Sequence, residues 1–583
     1  MRKSNLMPLS GLFFAGVLLA IVLSFMFPRQ IWTAKTPEQV YQVLQREILP
    51  KIQVEQVFVR DEVAARYATD RITEPLPNLE DFPLYGAKPT NDTNTVYLEI
   101  FSSAEKSDAT KQDARWLVDV ADAFNRSQVK SIAGQVIQVG IRNIPSGIGA
   151  RMIAEKAAKP TGYTPSNHLW LELLQTAGVK LEPVTDQLVP NYTGLVVQSD
   201  AYQELAKAVP VTFERLIETV LAGKLTVGYP NPYSSSSSLN LLYTLLWRAA
   251  GHHHDKKPLT TNELQLPQVN SLFNAFQNQV ITTTVTTLDL QEIFIRDQRK
   301  LQIFPLDYQS YAGLKKLPGF EQTGYVPFGV PHNSPLVGFT WNTPVQRNAL
   351  KKFAQFATST EMQQVATQQN FVAIDSLRSK DLPPEPKGDV LKAAQSFWKR
   401  QKDAGRTVHM MIVVDTSGSM DGNRIQAVKT GLQVASKEIN RGNFVGLMTF
   451  SDQVYYMVPL APFDQLQHQR LLAATDSLVA DGNTALYDGT MAALGELLAQ
   501  KQKDPNGRFY LLLLTDGEVT KGFNFEQVKN LLANSGVRIY PIAYGEVNQQ
   551  ELLAIASLRE ATVQQGTPQN VERLLKELFQ TNL

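Results

Sequence analysis

HMMIVVDTSGSM, residues 409–420, decides the architecture of the last third of the chain. Its first six residues are apolar and rich in β-branched side chains, as expected of a strand buried on both faces. An acidic, hydroxyl-rich turn follows at once. Residues 509–514 (FYLLLL) repeat the pattern and run straight into TDGE. Further strands are predicted at 443–450 and 537–543, with helical spacing of apolar residues over 425–439, 486–500 and 525–532. Strands alternating with helices predict a doubly wound, Rossmann-like α/β sheet, which presents ligands beyond the carboxyl ends of its strands.

The residues at those strand ends suit one chemistry. Asp415, Ser417 and Ser419 alternate along one turn, with Gly418 and Gly422 allowing tight bends; Thr484 lies in DGNTALYDG and Asp516 in LLLLTDGE. Carboxylate and hydroxyl oxygens are hard ligands, suited to Mg²⁺, Mn²⁺ or Ca²⁺ rather than zinc or copper. The Thr484 loop opens the helix predicted from Leu486, whose N-terminus favours anions. A helix cap would explain DTSGS alone but not three loops.

In this pattern residues 406–583 resemble the von Willebrand factor A family, whose metal ion-dependent adhesion site reads DxSxS…T…D. The resemblance implies that Ser417, Ser419 and Thr484 bind the ion directly or nearly so, while Asp415 and Asp516 often act through waters. It also implies a protein partner, as in cell adhesion, whose acidic residue completes the ion's shell. Asp415→Ala is expected to abolish metal binding and, on an exposed loop, to leave the fold intact. No nucleophile–base pair or phosphate-cradling Gly-Lys loop is visible, so no catalytic residue is assigned and the chain reads as a non-enzyme.

The whole chain narrows the choices. Its 583 residues allow two or three domains. A net charge of +1 argues against a nucleic-acid partner, and the absence of cysteine excludes disulfides, thiolate nucleophiles and lipidation at an N-terminal cysteine. Residues 6–27 carry no charge and are long enough to cross a bilayer as a helix, with no small-x-small cleavage site at their end. Arg2 and Lys3 precede them, which predicts a single-pass inner-membrane anchor with the bulk of the chain outside, a cleaved signal peptide being the alternative.

Between anchor and metal loops, residues 36–47 read as an amphipathic helix and 73–94 as a linker. From residue 95 strands and helices alternate again: strands at 95–101 and 135–143, helices at 114–124, 150–158, 240–250 and 345–357. Ser102-Ser103 ending the first strand, the Ser146-Gly147 turn, PSNHLW at 165–170 and GYPNPYSSSSSL at 228–239 resemble bacterial extracellular solute-binding proteins. That resemblance implies two α/β lobes joined by a hinge, with a solute or peptide held between them. It makes Ser102, Ser103, Ser146, Ser235 and Ser236 candidate contacts, with Asp307 or Tyr308 from the second lobe. His252–His254 reads as a solvated loop.

The predicted order is a cytoplasmic tip and anchor (1–28), amphipathic helix and linker (29–94), a periplasmic-binding-protein-like domain (95–375), a Pro-rich linker with a short helix (376–405), and the metal-binding domain (406–583). On that plan the linker at Pro383–Pro386 separates independent cores. Three functions stay open. They are an anchored exterior protein with a metal-dependent partner and a solute, the substrate-binding component of an ABC-type importer, and an accessory subunit of an enzyme complex.

Overall fold

The computed structural model describes residues 31–70, 78–207, 210–373, 382–516, 519–544, 549–558 and 561–583. The expected anchor at residues 6–27 lies outside them. Among the described residues no helix is long and apolar enough to cross a membrane.

The strand read from HMMIVV runs Val408–Asp415 and is the middle of a seven-stranded sheet. It pairs in parallel with Phe444–Phe450 on one side and Arg508–Thr515 on the other, and the latter pairs with Arg538–Tyr544. Side chains alternate across a strand. Met411 and Val413 therefore enter the cluster beneath helices Leu486–Lys503 and Phe525–Asn534, while Met410, Ile412 and Val414 enter the cluster beneath Asn423–Ala435 and Val571–Asn582. Burial on both faces explains why the strands read as unbroken apolar runs. The antiparallel strand Val454–Pro462 and the short Gln564–Gly566 extend the sheet without having been anticipated. Their burial alternates or is partial, so the apolar signal is weak.

The segment before the middle domain is not a free helix and linker. Helix Pro37–Val43 forms as expected, capped by the Thr36 side chain. Trp32, Val40, Leu44, Ile48 and Ile52 are nonetheless buried in the same cluster as Met411 and Val413. Strand Val54–Gln56 then adds in parallel to the outer edge of the sheet beside Val454–Pro462. The amphipathic pattern required a partner, and that partner is a domain nearly four hundred residues later in the chain. Leu84–Gly86 likewise belongs to the middle domain, pairing with Val136–Asn143.

The middle of the chain forms two α/β lobes. The first has a six-stranded sheet that includes Thr95–Ser102, Val136–Asn143 and Leu336–Phe339; the second has a five-stranded sheet that includes Thr193–Val197, Val227–Pro230 and Ile303–Asp307. The chain crosses between them at residues 186–192 and again at 328–335. Helices begin earlier than expected, at Ser146 rather than Ala150 and at Ser236 rather than Asn240, because serine and glycine fill their first turns. His252–Asp255 is a helical turn rather than a solvated loop, with the His252 ring nitrogens 2.9 Å from Asp255 and 2.9 Å from Glu263.

The expected linker is the largest correction. Its residues 376–381 lie outside the described residues, but Pro383 and Pro386 are buried and Pro384 accepts a hydrogen bond from the Tyr243 hydroxyl. Helix Gly388–Gln401 buries Val390, Leu391, Ala394, Phe397 and Trp398 in a cluster shared with both lobes. Gly388 is required there, since a Cβ would lie 2.1 Å from the Glu172 carbonyl of the first lobe. On the second lobe, Trp398 Nε1 donates to the Tyr229 hydroxyl at 2.8 Å, and Gln395 donates to the Pro232 carbonyl. The two domains also touch directly. Asn231 donates to Gln580 at 2.8 Å, Lys399 to the Gln580 carbonyl at 2.8 Å, and Arg296 to the Ala561 carbonyl at 2.8 Å. The expected spacer is thus a packed helix with polar contacts on both sides of it.

One pH dependence follows from the metal-loop domain. Burial, with a smaller contribution from Lys437, pushes His468 down to about 4, and its Nε2 lies 2.7 Å from the Ser436 hydroxyl. The ring stays neutral when folded but takes a proton when unfolded below its ordinary value near 6.5. Stability contributed by His468 is therefore full above about pH 6.5 and is lost as pH falls toward 4. The urea midpoint should drop between pH 7 and pH 5, and His468→Gln should reduce that drop. An unchanged drop would show that other groups carry it.

Candidate functional site

The loops at the carboxyl ends of the central strands converge. Thr416 closes Val408–Asp415 and accepts from Asp481 N–H at 2.8 Å, while Gly418 N–H donates to the Gly482 carbonyl at 3.1 Å. Thr484 N–H donates to the Thr520 hydroxyl at 2.8 Å, tying in the loop after Asp516. Gly482 sits at φ +83° with the place of a Cβ only 2.4 Å from Asp452 Oδ2, so glycine is needed at this crossing.

The side chains form a chain of oxygens. Ser417 Oγ is 3.0 Å from Ser419 Oγ, and Ser419 Oγ donates to Asp516 Oδ1 at 2.7 Å. Asp415 accepts from Ser417 N–H at 2.8 Å and from the Thr515 hydroxyl at 2.7 Å. Burial raises the Asp415 carboxyl above its usual range; hydrogen bonds from Ser417 and Thr515 oppose the shift, and the charge of Asp516 adds to it. Asp415 is fully buried rather than on an exposed loop, whereas Ser419 is exposed. Two carboxylates drawn to neighbouring strand ends and flanked by hydroxyls are a donor set that suits a hard cation. Among the described residues no three His, Cys, Asp or Glu side chains form a metal cluster, so the hydroxyls would have to supply the rest of a shell.

Arg424 was not anticipated. It stands in the first turn of helix Asn423–Ala435, and its Nη1 donates to Asp516 Oδ2 at 2.6 Å and to the Ser419 carbonyl at 3.1 Å. Its position two residues after Gly422, within the turn that carries the serines, was the available signal.

The candidate solute contacts lie where the lobes meet, and the lobes are closed on one another. Gly147 N–H donates to the Ser234 carbonyl at 3.2 Å, Trp170 Nε1 donates to the Ser236 hydroxyl at 2.8 Å, and Gln309 Nε2 donates to the Asp113 carbonyl. Ser102, Ser103, Ser146, Ser236 and Asp307 are buried, while Ser235 and Tyr308 are half-buried. Several of these hydroxyls already have partners in the chain. Ser103 donates to Glu105 at 2.5 Å and accepts from Lys106, and Ser235 caps the helix at Ser238 N–H. Tyr308 stacks on Tyr192 with ring centroids 4.8 Å apart.

Sequence reasoning named Asp307 but missed Lys106 and His332, the other charged or titratable groups beside it. Lys106 is fully buried, 3.2 Å from Glu105. Burial lowers its ammonium below the ordinary lysine value, against the charges of Glu105 and then Asp307. Asp307 accepts from the Ser237 hydroxyl at 3.0 Å and lies 2.9 Å from His332 Nδ1. Backbone partners orient the amides of Asn167 and Asn240 so that both offer N–H to His332 Nε2, at 3.0 and 3.2 Å. With Nε2 accepting, the ring proton of the neutral imidazole sits on Nδ1. A lone lysine in SSAEKS and a lone histidine in VPHNSP carried no spacing from which this pairing could be read.

Two family models match the chain in adjoining stretches. Residues 409–577 match the von Willebrand factor type A domain, and residues 110–372 match the bacterial extracellular solute-binding protein. An uncharacterized protein of Synechocystis sp. is 24% identical over 178 residues, covering 30% of this chain and 41% of that protein. Calcium-activated chloride channel regulator 1 of Equus caballus is 26% identical over 179 residues, covering 30% of this chain and 18% of the relative. Among solved structures, a von Willebrand factor type A protein from Catenulispora acidiphila is 22% identical with TM-score 0.28, covering 30% of this chain and 42% of that one. A periplasmic thiamin binding protein is 12% identical with TM-score 0.39, covering 54% of this chain and 99% of that one. The chain thus joins a solute-binding-protein-like domain to a von Willebrand factor type A domain.

Proposed function

We propose that this is an exterior-facing binding protein. Its von Willebrand factor A domain takes a divalent cation, Mg²⁺ or else Mn²⁺ or Ca²⁺, through Asp415, Ser417, Ser419, Thr484 and Asp516. The observation that carries the reading is the run of contacts from Ser417 to Ser419 to Asp516, which draws two strand ends into one oxygen-lined site. The bound ion would supply Lewis acidity and positive charge. The chain supplies the oxygens and holds the loops together, and an acidic residue of a protein partner is the natural further ligand. The two-lobed domain binds a small solute or peptide in the cleft centred on Lys106, Asp307 and His332. Residues 6–27 hold both domains at the outer face of the membrane.

Titrating Mg²⁺ into chelator-stripped protein by calorimetry tests the metal reading, and a chelator should release the partner. Arg424 gives a sharper test. Its guanidinium competes with a cation for Asp516, so Arg424→Gln should raise divalent affinity by about tenfold, the scale of one charge-assisted hydrogen bond. Unchanged or weaker affinity would show that Arg424 orients Asp516 rather than opposing the ion. The match of residues 110–372 favours a second reading, the substrate-binding component of an ABC-type importer. Solute uptake lost on deletion of the chain would select it.

A further inference from the structure

An interdomain cavity lies at neither proposed site. It opens at the amino-terminal end of the von Willebrand factor A sheet, where that end faces the second lobe, and has a volume of about 480 Å³. Strand Val408–Asp415 separates it from the metal loops by about 25 Å, at the usual rise per residue. Arg406, Arg508 and Arg538 line it from the sheet, with Arg299 and Lys300 from the lobe. Among the described residues its lining contains no aspartate or glutamate.

Cationic side chains from both domains crowd this lining. Arg406 and Arg508 both donate to the Gln277 carbonyl at 3.3 Å. Their near carboxylate is Asp403, 3.8 Å from Arg508 and itself paired to Lys402 at 2.7 Å. Burial lowers the Arg406 guanidinium and the charge of Arg508 lowers it further, while Tyr510 and Asp403 oppose the shift. Burial alone would raise the Tyr510 phenol, yet Arg508 and then Arg538 bring it below its ordinary value. Such crowding is relieved when an anion enters.

We propose that this interdomain cavity is a binding site for a molecule carrying a pyrophosphate group, gripped by Arg406, Arg508 and Arg538. Guanidinium forks match phosphate oxygens in pairs of hydrogen bonds. The cavity falls in the size range of small-molecule sites and exceeds the need of a single oxyanion. Because one wall is the von Willebrand factor A sheet and the other the second lobe, the ligand bridges the domains and its occupancy stiffens their junction. The site uses none of the proposed metal or solute residues, so it stands or fails independently of that reading.

The experiment is calorimetry on the full chain in excess chelator, which silences the metal site, with inorganic phosphate, inorganic pyrophosphate and ADP as separate probes. Pyrophosphate and ADP should each bind at least about tenfold more tightly than phosphate. Tighter binding of ADP than of pyrophosphate assigns a nucleotide; equal binding assigns the phosphates alone, and both support the site. Arg508→Gln should weaken binding by about tenfold or more. Because Arg508 also holds the Gln277 carbonyl, the exposed pair R299Q/K300Q provides a variant expected to fold normally and to weaken binding severalfold. No binding of pyrophosphate or ADP at millimolar concentration overturns the proposal. So does binding that both variants leave unchanged.

Discussion

Asp415→Ala is expected to abolish divalent-cation binding and also to lower the stability of the protein. The carboxylate is fully buried and accepts from Ser417 N–H and the Thr515 hydroxyl, so its removal leaves two donors unpaired in a dry site. Such losses cost about 1–3 kcal/mol. Ser419→Ala separates binding from folding, because Ser419 is exposed and, among the described residues, its hydroxyl serves Ser417 and Asp516. Calorimetry on this variant should show metal affinity reduced by tenfold or more at an unchanged urea midpoint, if its oxygen bonds the ion about as strongly as a charge-assisted hydrogen bond. Retained affinity in Asp415→Ala would remove that residue from the site.

Trp398→Ala should be the most damaging single change outside the metal loops. Its indole is fully buried in the cluster shared by both lobes and donates to the Tyr229 hydroxyl. Truncating a buried tryptophan costs about 3–5 kcal/mol, and this one lies on the helix that packs on both lobes. Urea unfolding should shift by that amount, with hydrogen exchange rising in both lobes. A loss below about 1 kcal/mol, far under the usual cost of such a cavity, would mean that Gly388–Gln401 is the peripheral linker helix that its sequence suggests.

What was legible followed from burial. Residues 409–414 and 509–514 could be read as strands because both faces of the sheet are covered, and residues 415–419 mark where the central strand ends. The hidden parts depended on partners far away in the chain. The amphipathic face of Pro37–Val43 announced that it packs, but not that it packs beneath a sheet that begins at Val408. Pro383 and Pro386 read as stiff spacer residues, and only the surface under them makes them part of a core. Lys106 and His332 illustrate the same limit at the cleft: each is ordinary alone, and Asp307 between them gives them meaning.

The most direct test of the central claim is an electron paramagnetic resonance titration of Mn²⁺ into the chelator-stripped full chain. The account predicts a saturable bound population displaced by Mg²⁺, lost in Ser419→Ala, and retained in Ser236→Ala, whose hydroxyl lies at the lobe interface. No bound population at millimolar Mn²⁺, or a bound ion indifferent to Ser419→Ala, would contradict it.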